Sequence, residues 1–317
     1  MSGFRVIQAG PLVTVQDQGR PGLMRFGLPH SGPMDRRALA IANAALGNPA
    51  AAAGIEVSPG GLEIEMTATC TVAIAGGGFI ATTPAGRMPG WAVLTLLPGE
   101  RLRLSAGPWG NWCYLAFAGG VDAPHFAGHA ATHAGSGLGG GVLKPGQALA
   151  LAAPTRLDGR DGPIPIPVWA RPRAEFDLVI GPQDRFFARD TLATLTEASF
   201  TVTPSMDRMG VRLAGPALMP EGALGIPSGP ICRGSLQVSG EGTVTVLMAD
   251  HQTTGGYPRI ATLTDLDCDS FAQARPGQKL RFRTMTAAQA VARHRAEAAR
   301  RADWLARLSA RGPVTSG

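Results

Sequence analysis

The sequence has few cysteines, few aromatic residues and no long apolar run. Its four cysteines, Cys70, Cys113, Cys232 and Cys268, lie far apart with no C-x-x-C pair. Neither a zinc site nor a disulfide framework is therefore expected. No segment reaches the roughly 18 consecutive apolar residues of a membrane helix, and the N-terminus lacks the basic-then-apolar order of a signal peptide. These absences predict a soluble, cytoplasmic protein with reduced, mostly buried thiols.

Several motifs of familiar enzymes are also missing. The sequence contains no G-x-x-x-x-G-K-[ST] phosphate loop, no G-x-S-x-G nucleophile turn and no Met-Lys-Met biotin-attachment motif. Residues 135–140 match G-x-G-x-x-G but lead into a turn and not into a helix, so a dinucleotide site is not expected there. Nucleotide binding through a phosphate loop is therefore excluded, and biotin is not expected on this chain.

The positive charge is concentrated at the C-terminal end. Of the formal net charge of +6 over 317 residues, residues 285–317 carry six arginines against Glu297 and Asp303. This segment is rich in alanine with apolar residues at helical spacing, which predicts a solvated helix over residues 286–308. Clustered aromatic residues for base stacking are missing, so nucleic acid is not an expected partner.

The body of the chain is duplicated. Four landmarks recur in one order. They are an apolar start at Phe4 or Phe176, a short segment that contains Asp, Arg and Gly, a Gly-x-Leu-x-(Ile/Val) strand, and a Pro-Gly turn before a basic strand. The strands are short and punctuated by 43 Gly and 26 Pro, which predicts a mainly β fold of two related domains. We place these domains at residues 1–160 and 161–284, followed by the basic helix and tail at residues 285–317.

Two helices are expected between the strands. The first covers residues 35–46, with Asp35 as N-cap and a stop at Gly47. The second covers residues 185–195, with Asp184 as cap. Both would be short interruptions in a β-rich chain.

A polar turn at residues 249–259 is the main candidate for chemistry. It lies between a predicted strand at residues 243–248 and an apolar stretch at residues 260–263. Two adjacent glycines would let the backbone approach a small ligand, and the side chains around them suit a small amide or carboxylate. The alternative is a hairpin whose Asp and Thr side chains cap their own backbone. The residues concerned are Asp250, Gln252, Thr253, Thr254, Gly255, Gly256 and Tyr257.

Each copy also carries an Asp followed closely by two arginines. Arginine holds carboxylates and phosphates bidentately, and a neighbouring Asp would orient it. The alternative is an Asp-Arg pair that fastens one end of a barrel, so one copy would serve structure and the other a ligand. The residues are Gln16, Asp17, Arg20 and Arg25 in the first copy and Asp207, Arg208 and Arg212 in the second.

Half of the six histidines are spaced four residues apart, at His125, His129 and His133. On a helix this spacing would place three imidazoles on one face, as a metal site requires. The surrounding glycines and Pro124 argue against a long helix. We therefore predict an exposed, histidine-rich loop and no metal site.

Five motifs in this order resemble those of the 5-oxoprolinase C-subunit family, also labelled allophanate hydrolase subunit 2 or biotin-dependent carboxyltransferase-like. The family further includes part of urea carboxylase and regulators of sporulation kinases. The resemblance covers about residues 4–283, and the motifs stand at residues 15–22, 31–35, 118–121, 207–210 and 252–258. It implies two cyclophilin-like β-barrel domains, a subunit-B-type partner and a third subunit. It also implies the ATP-dependent opening of 5-oxoproline to glutamate.

Within this resemblance, the polar turn would bind the amide and position the attacking oxygen. Asp250, Gln252, Thr253, Thr254 and Tyr257 are thus the expected catalytic residues, and the Asp-Arg segments with Gly255 and Gly256 would bind the substrate or its phosphate charge. The sequence departs from the family at Ala130 and His251, where arginine is usual. A different small amide, a non-catalytic regulatory partner or a carboxyltransferase acting on a urea-like substrate are the alternatives.

Overall fold

The computed structural model describes residues 2–222 and 226–310 and divides into two compact units. Within the described residues, unit 1 consists of residues 2–20, 31–171 and 300–310, and unit 2 consists of residues 21–30, 172–222 and 226–299. The domain ranges 1–160, 161–284 and 285–317 remain a prediction. The units differ from these ranges, because residues 21–30 group with unit 2 and residues 161–171 and 300–310 group with unit 1. Residues 311–317 of the predicted tail lie outside the described part.

Unit 1 is built from two sheets. A seven-stranded sheet has the order β11-β12-β1-β4-β9-β6-β7, and a six-stranded sheet has the order β13-β8-β5-β10-β3-β2. The strands are β1 (Gly3–Ala9), β2 (Thr14–Gln16), β3 (Gly54–Val57), β4 (Leu62–Met66), β5 (Cys70–Ala75), β6 (Ile80–Thr83), β7 (Gly86–Pro89), β8 (Ala92–Leu96), β9 (Arg101–Ser105), β10 (Cys113–Phe117), β11 (Val121–Asp122), β12 (Ala148–Leu151) and β13 (Gly162–Pro163).

The core of unit 1 follows from the alternation of its strands. In β4, Leu62, Ile64 and Met66 are buried while the glutamates between them are half-buried, as period-two patterning requires. Phe4 of β1 stacks on Phe117 of β10 with ring centroids 4.8 Å apart. Burying each such ring stabilises the unit by about 1.5–3 kcal/mol.

The first predicted helix is confirmed as α1 (Arg36–Ala45). Asp35 is its N-cap, because the side chain accepts a 3.1 Å hydrogen bond from the backbone N–H of Ala38, which satisfies one of the unpaired donors of the first turn. The apolar stripe of α1 is buried, including Leu39 and Ile41.

Unit 2 is a closed barrel with the strand order β14-β21-β18-β19-β16-β15-β22. Two further short strands, β17 and β20, form a separate two-stranded sheet. The bounds are β14 (Glu175–Ile180), β15 (Phe200–Met206), β16 (Gly210–Ala214), β17 (Gly229–Pro230), β18 (Ser235–Val238), β19 (Val244–Leu247), β20 (Thr254–Gly255), β21 (Arg259–Leu263) and β22 (Lys279–Thr284).

The helices of unit 2 correct one prediction and add one element. The helix predicted at residues 185–195 starts later: a 3-10 turn covers Asp184–Phe186, and α2 covers Arg189–Glu197 with Ala188 at its N-cap and no side-chain cap. The prediction of Asp184 as cap is therefore wrong, because a separate short turn interrupts the pattern. The unpredicted α3 (Asp265–Phe271) is capped by Thr264, whose hydroxyl accepts from the Asp267 N–H.

The predicted C-terminal helix is confirmed as α4 (Ala287–Ser309). Its residues up to 299 group with unit 2 and its last residues with unit 1. Within unit 2, Arg293 donates to Asp177 and Asp267. Within unit 1, Trp304 meets Trp169 edge-on at 5.9 Å. The helix is therefore held by specific contacts and not only by its helical propensity.

The predicted fold class, mainly β with short helices and a C-terminal helix, is confirmed. Cys70, Cys113 and Cys268 are buried thiols as expected, whereas Cys232 is an exposed thiol. In the part of the chain that the structure describes, no helix is both long and apolar enough to cross a membrane.

Candidate functional site

The polar turn of unit 2 follows strand β19 and is fixed at its start by backbone hydrogen bonds. The N–H of Met248 donates to the Met209 carbonyl at 2.9 Å, and the N–H of Asp250 donates to the Arg208 carbonyl at 2.8 Å. The turn then forms β20, which pairs antiparallel with β17, and it ends at β21. The two polar segments that the sequence singles out in the second copy are therefore adjacent in the fold.

Asp250 and Arg208 form a buried, bidentate ion pair. The Arg208 Nε donates to one carboxylate oxygen at 2.8 Å and the Nη2 to the other at 3.0 Å. Their side chains are 6% and 3% exposed. Each group thus stabilises the charge of the other in a low-dielectric setting. The charges of the two side chains compensate each other. The predicted roles of Asp250 in catalysis and of Arg208 in anion binding stay predictions.

His251, where the sequence resemblance leads to an expectation of arginine, is also buried. Its Nδ1 donates to the Gln252 carbonyl at 2.6 Å, because a carbonyl oxygen can only accept. Burial lowers the pKa of His251, and the positive groups Arg233 and His30 lower it further, against the raising effects of the carbonyl and Asp250. The His251 imidazole is therefore neutral at neutral pH.

A cavity of about 580 Å³ in unit 2 brings together part of the predicted site. Four predicted residues line it: Asp207, Arg212, Gln252 and Tyr257. The remaining lining residues are Pro204, Ser205, Met206, Met209, Gly210, Gln237, Ser239, Thr245 and Leu247. Asp250, Arg208, Thr253, Thr254, Gly255 and Gly256 are outside this lining, although all but Arg208 belong to the turn that shapes it.

The two charged residues of the cavity differ in what they are bound to. Asp207 is held by its own turn, since its Oδ1 accepts from the N–H groups of Met209 at 2.7 Å and Gly210 at 3.1 Å. This is the backbone-capping role expected of an Asp in a turn. Arg212, exposed on β16, makes no ion pair with any described residue. Its guanidinium is therefore the available positive charge of the cavity.

Sequence reasoning misses Gln237, which lines the same cavity from strand β18. The residue is 5% exposed, and all four residues of β18 are buried. A carboxamide between the apolar Leu236 and Val238 is the available signal, because buried polar groups normally have partners. In the sequence, the motif containing Gln237 serves only as a landmark of the duplication.

The corresponding residues of unit 1 are engaged in backbone contacts. The Asp17 carboxylate accepts from the N–H groups of Ala130 at 2.7 Å, Ala131 at 3.2 Å and Gly19 at 2.9 Å. The buried Arg20 donates to the Ala131 carbonyl. Together they hold residues 129–132, the segment where the family's arginine is replaced by Ala130.

Two further predicted binding residues of the first copy are placed separately. Gln16 is fully buried and donates to the Thr14 hydroxyl at 2.9 Å and the Thr132 carbonyl at 3.1 Å. Arg25 lies in an exposed 3-10 turn that groups with unit 2, where its guanidinium lies 4.8 Å from the Phe26 ring centroid. The cluster expected from the sequence is thus divided between interior and surface positions.

The three spaced histidines do not share a helix. Phe126 and His129 form an isolated antiparallel bridge, as do His133 and Leu138. His129 lies 3.7 Å from the Asp17 carboxylate, and His133 contacts Ser136 at 3.0 Å. Among residues 2–222 and 226–310, no group of three or more His, Cys, Asp or Glu side chains is arranged to hold a metal ion.

Most of both β-rich units and the whole polar turn lie within the segment of the chain that matches a known protein family. A family model described as carboxyltransferase domain, subdomain A and B, matches residues 26–284, and the chain belongs to this family.

Two bacterial proteins that share one name are similar to this chain over most of its length. The chain is similar to the 5-oxoprolinase C-subunit of Escherichia coli K12, with 33% identity over 283 residues, which is 88% of this chain and 90% of that protein. The protein of the same name from Haemophilus influenzae is 31% identical over 88% of this chain and 90% of its own length.

Among solved structures, the urea carboxylase of Kluyveromyces lactis superposes with a TM-score of 0.86 at 22% identity, covering 97% of this chain. The chain spans 29% of that protein, so this likeness concerns the fold. A solved structure of the protein TTHA0988 gives a TM-score of 0.79 at 31% identity and covers 89% of this chain. The chain spans 55% of that protein.

Proposed function

We propose that this chain is a subunit of an ATP-dependent, 5-oxoprolinase-type enzyme that opens a small cyclic amide. The observation that carries the proposal is the set of uncommitted polar groups in the unit 2 cavity. Among the described residues, the guanidinium of Arg212, the carboxamide of Gln252 and the hydroxyl of Tyr257 have no hydrogen-bond partner. Two relatives named as 5-oxoprolinase subunits, matched over most of their length, support this choice of reaction.

The chemistry of 5-oxoproline suits these groups. The molecule carries one carboxylate and one lactam, so it needs one cation and several neutral hydrogen-bonding groups. Arg212 would bind the carboxylate bidentately. Gln252 and Tyr257 would donate to the lactam oxygen, where negative charge accumulates as the carbonyl is attacked. Opening the ring with water then gives glutamate.

We propose that ATP binds outside this cavity. A triphosphate carries several negative charges, whereas Arg212 is the single cation among the described lining residues. A phosphate loop is also missing from the sequence. We therefore assign ATP to another part of a complex, formed with a subunit-B-type partner and a third subunit. The role of this chain is to bind and orient the amide.

The test is phosphate release from ATP by this chain co-purified with its partner subunits, measured with and without 5-oxoproline. Release that depends on 5-oxoproline is the expected result. Arg212→Met should raise the KM for 5-oxoproline about tenfold, since hydrogen bonds to charged groups contribute roughly 1.5–3 kcal/mol and this arginine is exposed. Arg103→Met, at an exposed position of β9 in unit 1, is the matched control. A complex with no 5-oxoproline-dependent release would contradict the proposal.

A second candidate is carboxyl transfer from carboxybiotin to a urea-like acceptor, which the family model's description favours. The biotin would be carried by another protein, because this chain has no attachment motif. Urea-dependent consumption of a carboxylated carrier would distinguish this reaction. A stable complex that is silent in both assays would instead indicate a regulatory role.

A further inference from the structure

Gln237 is a buried carboxamide whose nitrogen has no acceptor. Its Nε2 is inaccessible to solvent and makes no hydrogen bond within the described residues, although the residue as a whole is 5% exposed and lines the unit 2 cavity. Buried polar groups are normally paired because an unmade hydrogen bond costs stability. A folded chain that keeps such a group at a cavity is therefore prepared for a ligand.

The local backbone directs Gln237 toward the cavity. Strand β18 pairs with β21 in regular register at Ser235 and Leu236, and the register then shifts so that Gln237 faces Arg259. The extra residue of this irregularity, Ile260, lies in β21. Against β19 the register of β18 is regular, and Gln237 pairs with Thr245, which also lines the cavity. Gln237 therefore lies on the same face of the sheet as Thr245, opposite the buried Leu236 and Val238.

Gly255 provides the space for this carboxamide. A Cβ at position 255 would lie 2.5 Å from the Gln237 Nε2 and 3.6 Å from the Gln252 Nε2. Gly255 is not among the glycines with positive φ, so the backbone conformation does not demand glycine there. Glycine is required at position 255 for steric reasons, because the carboxamides of Gln237 and Gln252 both lie close to the place that a Cβ would occupy.

We propose that Gln237 is the specificity-determining residue for a cyclic amide, whose edge it recognises through paired hydrogen bonds. This inference rests on the proposed function. A ring holds the amide N–H and C=O on the same side, and a glutamine carboxamide presents one donor and one acceptor side by side. The carboxamide torsion is broad and roughly two-fold, so it can adopt either orientation. On binding, Gln237 would turn its carboxamide edge toward the ligand, so that its Nε2 donates to the ring carbonyl and its Oε1 accepts from the ring N–H.

The edge recognition separates ligands that differ by one group. N-methylation of a lactam removes the donor and leaves the carbonyl, the ring and the carboxylate in place. A site that reads the edge through Gln237 rejects the methylated compound, because its own acceptor is left unpaired. A site that uses Gln237 only for packing distinguishes the two compounds by size alone.

The experiment is a calorimetric titration of the purified complex, without ATP, with 5-oxoproline, N-methyl-5-oxoproline and 2-imidazolidinone. The wild-type complex should bind 5-oxoproline at least tenfold more tightly than the methylated compound. Gln237→Met keeps the side-chain length and should reduce this ratio about tenfold. Gly255→Ala should reduce it as well, because the new Cβ displaces the carboxamide. Gln8→Met, at an exposed position of β1, should keep the wild-type ratio.

The melting temperature tests whether Gln237 has a structural role, because loss of a structural residue would lower it. Gln237→Met removes an unpaired buried amide, so the melting temperature should stay the same or rise. A Gln237→Met complex that melts normally and keeps the full ratio would overturn the inference.

Two outcomes separate this inference from the proposed function. Arg212→Met should weaken both carboxylate-bearing ligands equally and keep their ratio. Binding of 2-imidazolidinone but not 5-oxoproline, lost in Gln237→Met, would reject the oxoprolinase function and retain the edge recognition. A wild-type complex that binds none of the three compounds would overturn both.

Discussion

Arg208 and Asp250 face each other through two parallel hydrogen bonds of 2.8 and 3.0 Å in the interior of unit 2. The backbone repeats the connection, since the Asp250 N–H donates to the Arg208 carbonyl. The pair therefore joins the hairpin turn of β15 and β16 to the polar turn after β19. Any role in binding is combined with a structural one.

Substituting Asp250 by Asn should destabilise unit 2 as well as impair function. The change removes the carboxylate that faces a buried guanidinium, and breaking such a pair costs about 3–5 kcal/mol. Urea unfolding at neutral pH measures the loss. The double variant Arg208→Met with Asp250→Leu should recover most of the stability, because apolar replacement of both partners is often close to neutral. A single variant as stable as the wild type would show that the pair contributes little.

His251 should make the stability depend on pH below neutrality. Burial lowers its pKa from the ordinary value of 6.5, so the unfolded chain binds a proton more readily than the folded one. The corresponding stability is present above pH 6.5 and decreases as the pH falls below it. His251→Gln should reduce the difference in urea midpoint between about pH 7.5 and about pH 5.5. The exposed His125→Gln is the control, and an unchanged difference in His251→Gln would refute the assignment.

The sequence contains enough information for the main elements. Helix α1 can be predicted because its cap, apolar stripe and stop signal are local. Strand β19 and the polar turn after it are equally readable from alternation and adjacent glycines. Helix α3 escapes prediction because its seven residues are too short for a clear period, although Thr264 and Asp267 form a recognisable cap.

The partners within the site cannot be read in the same way. Arg208 and Asp250 are 42 residues apart, and the sequence presents both as ligand groups since nothing local shows that they bind each other. The position of Gln237 at the cavity depends on its pairing with Thr245 and on the space at Gly255, which are properties of strand pairing. Local patterning therefore identifies the segments, and the fold decides which side chains remain available.

The two tyrosines of the chain should respond differently to loss of the hydroxyl. Tyr114 is fully buried, donates to Glu56 at 2.7 Å and accepts from the Asp35 N–H at 2.7 Å. Tyr114→Phe leaves both partners short of a hydrogen bond next to the start of α1, which should cost about 2–3 kcal/mol.

Tyr257 is 58% exposed at the cavity. Tyr257→Phe should leave stability within about 0.5 kcal/mol of the wild type and lower turnover of the complex. Unfolding curves and a phosphate-release assay on both variants make the comparison. A stability loss in Tyr257→Phe equal to that in Tyr114→Phe would contradict this division.

Asp177 should control the acid stability of unit 2. Burial alone raises its pKa, but the hydrogen bonds and charges of Arg283, Arg293 and Arg173 outweigh burial and hold the pKa below its ordinary value of 3.8. The folded state thus binds fewer protons than the unfolded state in acid. The stability that Asp177 contributes is present above about pH 4 and is lost as the pH falls through its folded pKa.

Asp177→Asn should therefore weaken the protein more at about pH 7 than at about pH 3. At neutral pH the variant loses a bidentate contact to Arg283, with distances of 2.7 and 3.1 Å, and the ionic part of the contact with Arg293. Urea midpoints at the two pH values measure the effect, with the exposed Asp158→Asn as control. An equal loss at both pH values would mean that packing of the side chain matters and its charge does not, because only the ionised carboxylate attracts three arginines.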